Sequence, residues 1–262
     1  RYYVSGLHTP GTVTIQPAGY IRGLARGLRA VGVRIYENAP VLKVEGGGAG
    51  WTLSAAGHRI AAGKVILATN GHLESFGFAR RRLMHIFLYV SMTAEMDGEA
   101  LRRLGGTPRW GITPSDPMGT TMRRIDGAQG GNRIVTRSCF SFLPGMAPSE
   151  ADLRRAAKNH RRKFDARFPA LGDVAMEYVW AGHLCLSRNG VAVMRELDAG
   201  LYSACVQNGL GTVRGTMTGI GAAELACGVE SEITRHFTAE AEPKLRSEEH
   251  TSELQSRGLI SY

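Results

Sequence analysis

The sequence predicts an α/β fold that carries an antiparallel α+β insert, and three observations support this prediction. Four apolar residues, Val65 to Ala68, run without alternation and end at Thr-Asn-Gly, as in a strand buried on both faces of a parallel sheet. Between residues 83 and 145, strand-like segments alternate with turn clusters, which indicates antiparallel pairing. Residues 201–227 pass from a strand through a glycine-rich turn into a helix of small residues. Open α/β sheets bind ligands where their strands end, so we expect a ligand beyond Ala68.

The first elements are a helix, a strand and a hairpin. Pro17 suits the first turn of a helix, and Gly32 is a typical residue to end it. Between them, apolar residues recur at helical spacing: Ile21, Leu24, Ala25, Leu28 and Val31. A strand is predicted over 33–37. The glycine turn 46–50 then separates two alternating runs, which predicts a β-hairpin.

A basic helix is predicted over 149–171, and Ser149 with Asp152 forms its capping box. Its apolar face consists of Leu153, Ala157, Phe164 and Phe168. Basic side chains are spread around the rest of the helix: Arg154, Arg155, Lys158, Arg161, Arg162, Lys163 and Arg167. We interpret them as a solvated surface. A nucleic-acid-binding stripe is the alternative, but no aromatic or glycine-rich platform accompanies it.

The composition is that of an ordinary globular protein, with 43% hydrophobic residues, 21% charged residues and a formal net charge of +9. No stretch is long enough to span a membrane and no leader opens the chain, so we expect a cytoplasmic protein. The four cysteines form no C-x-x-C pair and the eight histidines no i, i+4 pair. We therefore expect core thiols in a reducing compartment and no metal site. The positive charge favours an enzyme with a basic surface over a nucleic-acid reader.

Both ends of the chain suggest a gene fragment. The chain begins with Arg1 rather than Met, and its last stretch, "RSEEHTSELQSRGLISY", resembles a translated sequencing adapter. We therefore expect residues 246–262 to have no biological role and exclude them from the fold.

The segment 203–215, "SACVQNGLGTVRG", approximates a dinucleotide-binding fingerprint. Gly209 and Gly211 would let backbone N–H groups and a helix N-terminus approach a ligand that carries negative charge. A Rossmann unit also needs a second parallel strand with an acidic residue after that helix. Here the helix runs into 228–244, where the pattern is absent. The motif therefore does not fit an ADP-binding site. It still fits a helix whose N-terminus is directed at another electron-rich group.

Several segments together resemble one family. They are 11–44 with "KVILATNGH" at 64–72, "WAGHLCLSRNGVAVM" at 180–194, and 201–228 with its "NGLG…TG" helix. These residues resemble the FAD-dependent D-amino-acid oxidase and glycine oxidase superfamily, and above all its γ-glutamylputrescine-oxidase-like branch. The resemblance implies a discontinuous FAD-binding domain with an inserted antiparallel substrate domain. The implied boundaries are 1–75 and 184–236 for the FAD domain, 76–183 for the substrate domain, and 237–262 for a disordered tail.

The resemblance also implies roles for individual residues. Val41 matches the residue whose backbone contacts the adenine. The strand end along the dinucleotide corresponds to Ala68, Thr69, Asn70 and Gly71. The turn beside the flavin ring corresponds to Asn208, Gly209, Leu210, Gly211 and Thr212. Of these, Gly209, Leu210 and Gly211 form the helix N-terminus that would stabilise negative charge on the flavin, and they are the candidate catalytic element.

The implied chemistry is oxidation of a C–N bond of an amine or amino acid. A hydride passes to FAD, an imine forms and hydrolyses, and oxygen is the expected electron acceptor. Arg123 and Arg124 are candidates to pair with a substrate carboxylate, with solvent-facing strand charges as the alternative. His8, Tyr89 and His183 are candidates to line the pocket, or else ordinary buried or surface side chains.

The family's N-terminal strand, G-x-G-x-x-G turn and helix have no counterpart after Arg1. Because that piece grips the ADP half of FAD, we expect this chain alone to hold FAD poorly and to be inactive. Two alternatives to an amine oxidase remain at this stage. One is a flavin dehydrogenase or demethylase of N-methyl amines, and the other is a non-catalytic module that binds nucleic acid or another anionic surface.

Overall fold

The computed structural model describes residues 2–116 and 119–246, and these residues form two compact units. The first unit contains residues 2–16 and 86–183, and the second contains residues 17–85 and 184–246. The assignment of FAD binding to 1–75 and 184–236, and of substrate binding to 76–183, stays a prediction. The predicted adapter-derived segment lies, from residue 247 onward, outside the described residues.

The described residues form both helices and strands, which are interspersed along the chain, and the fold is mixed α/β. The α-helices are α1 (Pro17–Ala30), α2 (Gly98–Leu104), α3 (Glu150–Arg167), α4 (Gly211–Cys227) and α5 (Glu232–Ala239). Short 3₁₀ helices cover Asn70–Phe76, Gly127–Gln129 and Pro169–Leu171. The strands are β1 (Val41–Gly47), β2 (Gly50–Ala55), β3 (His58–Ala62), β4 (Val65–Leu67), β5 (Leu83–Thr93), β6 (Trp110–Ile112), β7 (Thr121–Ile125), β8 (Arg133–Phe142), β9 (Met176–Ser187), β10 (Val193–Asp198) and β11 (Leu201–Cys205).

In the second unit, the predicted hairpin is confirmed as the antiparallel pair β1 and β2, with β3 added at the edge. Glycine is required at position 46, near the end of β1, because a Cβ there would lie 2.3 Å from the carbonyl oxygen of Gly50. The strand predicted over 33–37 is wrong, since these residues form irregular backbone that ends in a bend. A run of β-favouring residues forms a strand only when a partner strand is available to complete its hydrogen bonds.

The strand at Val65 exists, but the prediction that both of its faces are buried is wrong. Strand β4 pairs in parallel with β11, which pairs antiparallel with β10. Val65 and Leu67 belong to the core, which also includes Trp51 and Leu201, whereas Ile66 between them is 39% exposed. Only one face of β4 therefore packs against apolar side chains.

Helix α4 packs against β10, β11 and α5 through small residues. A Cβ at Gly221 would lie 2.9 Å from Met194 Cε and 3.0 Å from Ile233 Cγ2, so glycine permits this close packing. Met194 and Phe237 are buried in the same apolar cluster. Phe237 belongs to the segment that was predicted to be disordered.

The predicted disordered tail differs from the structure over residues 237–246. The carbonyls of Glu240, Glu242 and Pro243 accept hydrogen bonds from Arg195, Asn189 and Arg82, respectively. The backbone N–H of Arg246 donates to the carbonyl of Arg81 at 2.9 Å. Long-range contacts of this kind hold the segment, and a polar composition alone does not reveal them.

In the first unit, a sheet of order β6-β7-β8-β5-β9 is antiparallel at β6–β7, β7–β8 and β8–β5. Helix α3 covers one face of it, and its capping box at Ser149 and Asp152 is confirmed. Its buried residues are Ala156, His160, Lys163 and Phe164. The prediction that the basic side chains of α3 are solvated is therefore wrong for Lys163, which is 8% exposed.

Helix α1 begins at Pro17 as predicted, but none of its residues is buried. Its apolar side chains Ile21 and Leu24 are 59% and 47% exposed. Within the described part of the chain, no helix is both long enough and apolar enough to cross a membrane.

Candidate functional site

Two groups of predicted site residues meet at the carboxyl ends of β4 and β11. Because these strands are parallel, the segments that follow them emerge at the same edge of the sheet. Cys205 Sγ donates to the carbonyl of Leu67 at 3.1 Å, and Thr69 Oγ1 lies 3.8 Å from Cys205 Sγ. The N–H of Gln207 donates to Asn70 Oδ1 at 3.4 Å. The structure thus brings residues 68–71 next to the turn that contains residues 208–212.

The turn between β11 and α4 has an unusual backbone. Val206, Asn208 and Gly209 have φ angles of 63°, 50° and 80°, which lie in the left-handed region that non-glycine residues rarely adopt. Asn70, on the neighbouring strand end, also has a positive φ of 50°. Such conformations persist where the surrounding contacts hold them, and they cluster at ligand sites.

Asn208 supplies most of the contacts that hold this turn. Its Oδ1 accepts from the N–H of Ser187 at 2.8 Å, and its Nδ2 donates to the carbonyls of Val191 at 2.9 Å and Val206 at 3.1 Å. Its own N–H donates to the carbonyl of Cys185 at 3.2 Å. Asn208 therefore positions the turn.

Gln207 anchors the other side of the turn to the body of α4. Its Nε2 donates to Thr218 Oγ1 at 3.0 Å and to the carbonyl of Ala204 at 3.1 Å. Thr218 is fully buried within the helix. No pattern in the sequence pointed to Gln207, Thr218 or Ser187. A glutamine beside a glycine-rich turn was the available signal, but its partner lies eleven residues away along the chain.

Helix α4 lacks the side-chain cap that other helices of the protein have. Asp97, Ser149 and Ser231 cap α2, α3 and α5, whereas Leu210 at the N-cap of α4 makes no side-chain cap bond. Among the described residues, nothing accepts a hydrogen bond from the backbone N–H groups of residues 211–213. Open N–H groups and the positive end of the helix dipole form an anion-binding arrangement.

The remaining predicted cofactor residues lie in different surroundings. Gly71 is buried, Ala68 and Thr212 are exposed, and Val41 lies on the separate sheet β1-β2-β3, paired with Ala55. The adenine-binding role of Val41 stays a prediction.

In the first unit, two guanidinium groups share the sheet face opposite α3. Arg137 on β8 pairs with Thr121 on β7, which places Arg137 and Arg123 on the same face. Arg137 donates to Thr121 Oγ1. Burial, together with the charge of Arg123, lowers the pKa of Arg137. Within the described residues, no carboxylate forms an ion pair with either arginine.

The other residues proposed for a substrate pocket are placed differently. Arg124 is buried and donates to the carbonyl of Thr107 at 2.8 Å, so it holds a loop. Tyr89 is buried beneath α3 and donates to Ser141 Oγ at 3.0 Å. His183 stacks on Phe87 with their ring centroids 5.1 Å apart. His8 is exposed.

One protein-family model matches most of the chain. A family model described as FAD dependent oxidoreductase (DAO) matches residues 1–225. The probable oxidoreductase OrdL of Rhizobium meliloti (strain 1021) is 24% identical over 236 residues, which make up 88% of this chain and 51% of that protein. The chain therefore spans about half the length of this curated relative.

Solved structures share the fold at low sequence identity. Glycine oxidase from Geobacillus kaustophilus matches with a TM-score of 0.65 and 17% identity, over 80% of this chain and 54% of that one. Iminodiacetate oxidase (IdaA) from Chelativorans sp. BNC1 matches with a TM-score of 0.63 and 14% identity, over 81% of this chain and 55% of that one. The mixed α/β architecture is therefore the one seen in these enzymes.

Proposed function

The chain belongs to the DAO family of FAD dependent oxidoreductases, and we propose that the complete gene product oxidises a carbon–nitrogen bond of an amine or amino acid. Similar solved structures include proteins named as glycine oxidase and iminodiacetate oxidase, whose names support a substrate that carries an amino group. The specific resemblance to γ-glutamylputrescine oxidases remains part of this proposal, as does oxygen as the electron acceptor.

The site formed by residues 68–71 and 208–212 offers the hydrogen-bond donors that an electron-rich cofactor requires. The open N–H groups of Gly211, Thr212 and Val213 are the observation that carries the proposal, because they are uncapped at a helix N-terminus. Ala68 and Gly209 place little side-chain bulk beside them. We infer that residues 68–71 and 208–212 hold FAD, which, when bound, supplies the two-electron acceptor for the oxidation.

The chain's own residues would act here by positioning and electrostatics. The N-terminus of α4 stabilises negative charge on a ligand that lies against it. Asn208 and Gln207 hold the turn that aims these N–H groups, and they do so through hydrogen bonds of 2.8 to 3.1 Å. The positive φ angles at Val206 and Asn208 are kept by the same contacts. The site would thus be organised before the cofactor binds.

The two arginines of the first unit support a substrate with a carboxylate. Arg137 and Arg123 lie on one sheet face, and neither is neutralised by a carboxylate among the described residues. A planar guanidinium can bind a carboxylate through two parallel hydrogen bonds. We therefore add Arg137 to Arg123 as a candidate substrate-binding residue, and an amino acid becomes the favoured substrate class.

Steady-state assays of the complete gene product would test this proposal. We would offer glycine, N-methylglycine and D-alanine, each beside its decarboxylated amine, and follow hydrogen peroxide and the carbonyl product. Peroxide formed in step with the carbonyl product supports an oxidase. Turnover only with an artificial electron acceptor would support the dehydrogenase alternative. Flavin-loaded protein that oxidises none of these compounds with either acceptor would contradict the proposed substrate class.

A further inference from the structure

Helix α5 is followed by Glu240, whose carboxylate contacts two elements that lie far earlier in the chain. Its side chain is 16% exposed. Its Oε2 accepts a hydrogen bond from the backbone N–H of Ala192 at 2.9 Å, across 48 residues of sequence, and its Oε1 lies 3.8 Å from Arg214 Nη2. One carboxylate therefore contacts both the loop before β10 and the beginning of α4.

Arg214 joins the same loop to the first turn of α4. Its backbone N–H donates to the carbonyl of Leu210, the N-cap residue, at 2.9 Å. Its Nη1 donates to the carbonyl of Gly190 at 2.8 Å. A cation in the first turn of a helix is unfavourable, because the helix dipole is positive at that end. The carboxylate of Glu240 offsets this unfavourable charge.

The loop before β10 is held by two sets of contacts. In the first set, Ser187 Oγ and Asn208 Nδ2 donate to the carbonyl of Val191 at 2.7 and 2.9 Å. The second set consists of the contacts made by Glu240 and Arg214. Because Asn208 also lies in the turn before α4, the carboxylate of Glu240 acts on that turn by two routes, through the loop and through the first turn of the helix.

The backbone of Glu240 is fixed by contacts of its own. Its N–H donates to the carbonyl of Phe237 at 3.2 Å, and its carbonyl accepts from Arg195 Nη2 at 3.0 Å. Nearby, the carboxylate of Glu242 lies within 3.8 Å of Arg195 and 3.7 Å of Arg82. The segment after α5 therefore holds the carboxylate of Glu240 in a defined position.

We propose that Glu240 is a positioning residue for the FAD site formed by residues 68–71 and 208–212, and that its ion pair with Arg214 controls the charge at the N-terminus of α4. This role rests on the proposed function, because it requires the flavin to lie against that helix end. A nearby positive charge stabilises the negative charge that a flavin gains on reduction. Loss of the carboxylate should therefore favour reduction, and loss of the guanidinium should disfavour it.

Three variants of the complete gene product test this role: Glu240→Gln, Arg214→Met and the double variant. The reduction equilibrium of the bound flavin is measured without oxygen against a dye of known potential. Glu240→Gln should favour reduction by about threefold to tenfold, or about 14 to 30 mV for a two-electron couple. Arg214→Met should disfavour it by a similar factor, and the double variant should return close to wild type. A pair that only stabilised the fold would not shift the two single variants in opposite directions.

Hydrogen exchange tests the positioning of the loop without the flavin. In the flavin-free chain, Glu240→Ala removes the acceptor of the Ala192 N–H, so exchange of that amide should become about tenfold faster or more. Glu240→Gln keeps an acceptor oxygen and should restore most of the protection. Glu230→Gln removes an exposed carboxylate beyond the C-terminus of α4 and should change neither the exchange nor the reduction equilibrium.

The results distinguish this role of Glu240 from the proposed function. A complete gene product that binds no flavin contradicts the proposed function, and the role of Glu240 falls with it. Flavin-loaded single variants that shift the equilibrium in the same direction, or not at all, overturn the role and leave the proposed function intact. Unchanged exchange at Ala192 in Glu240→Ala would also overturn it. If Glu240→Ala does not fold, the reduction equilibria of the other variants decide alone.

Discussion

The side-chain oxygen of Asn208 accepts a hydrogen bond from the backbone N–H of Ser187 at 2.8 Å, and this contact fixes the turn before α4 to the end of β9. Asn208 has a φ of 50°, which asparagine tolerates better than most residues. One side chain thus satisfies a backbone donor and permits the conformation that directs the N-terminus of α4. The hydrogen bond between Asn208 and Ser187, and not only the glycines, therefore holds the turn in its conformation.

Asn208→Ala should destabilise the protein by about 1–3 kcal/mol, because it leaves the N–H of Ser187 without its acceptor and removes one of the two donors to the carbonyl of Val191. Urea unfolding measures this loss. Asn208→Gly is the matched control, since it also removes the hydrogen bonds but adopts the positive φ without strain. An Asn208→Ala protein as stable as wild type would show that the turn does not depend on this side chain.

Gly221 and Gly219 lie on the same helix and should respond oppositely to alanine. A Cβ at Gly221 meets Met194 Cε at 2.9 Å and Ile233 Cγ2 at 3.0 Å, whereas a Cβ at Gly219 meets nothing within 4 Å. Gly221→Ala should cost about 1 kcal/mol or more through overpacking. Gly219→Ala should increase the free energy of unfolding by up to about 1 kcal/mol, because alanine has a higher helix propensity than glycine. Thermal unfolding of both variants shows whether the two substitutions change the stability in opposite directions.

The pair of buried His85 and half-buried Glu74, 2.9 Å apart, predicts a pH effect on stability. Burial raises the pKa of Glu74, but the hydrogen bond and charge of His85 outweigh it, so the pKa lies below its ordinary value. The unfolded chain therefore binds the proton more tightly. This contribution to stability is present above about pH 5 and is lost as the pH falls through the lower folded pKa.

The free energy of unfolding should consequently fall more steeply between pH 5 and pH 3 for wild type than for Glu74→Gln. Glu232→Gln removes an exposed carboxylate at the first turn of α5 and serves as the control. If Glu74→Gln and wild type have parallel pH profiles, the ion pair does not contribute in this way.

Arg137→Met should weaken binding of an amino-acid substrate and leave the matching decarboxylated amine little affected. We expect KM for the amino acid to rise by about tenfold to a hundredfold, as for loss of one charge-assisted contact. Arg137→Lys should recover only part of the loss, because an ammonium cannot bind both carboxylate oxygens as a guanidinium does. Equal losses for amino acid and amine would contradict carboxylate binding.

Local signals in the sequence were sufficient for part of the fold. The glycine turn at 46–50, the capping box at Ser149 and the strand–turn–helix at 201–227 each depend on residues close together in the chain, and the structure contains all three. These features follow from backbone conformation and short-range hydrogen bonds.

The features that the sequence did not reveal depend on contacts between residues that lie far apart in the chain. The burial of Lys163 and His160 depends on how α3 lies on the sheet, and polar residues on a helix are ordinarily interpreted as solvated. Arg137 became a candidate only because strand register places it beside Arg123.

The two-electron midpoint potential of the bound flavin tests the central claim that the N-terminus of α4 lies against FAD. A side chain at Gly211 meets nothing within 4 Å, so Gly211→Asp and Gly211→Asn differ there only in charge. In the complete gene product, Gly211→Asp should lower the potential by about 20 mV relative to Gly211→Asn, which corresponds to about 1 kcal/mol for a charge at a helix terminus. Equal potentials in the two variants would contradict the claim.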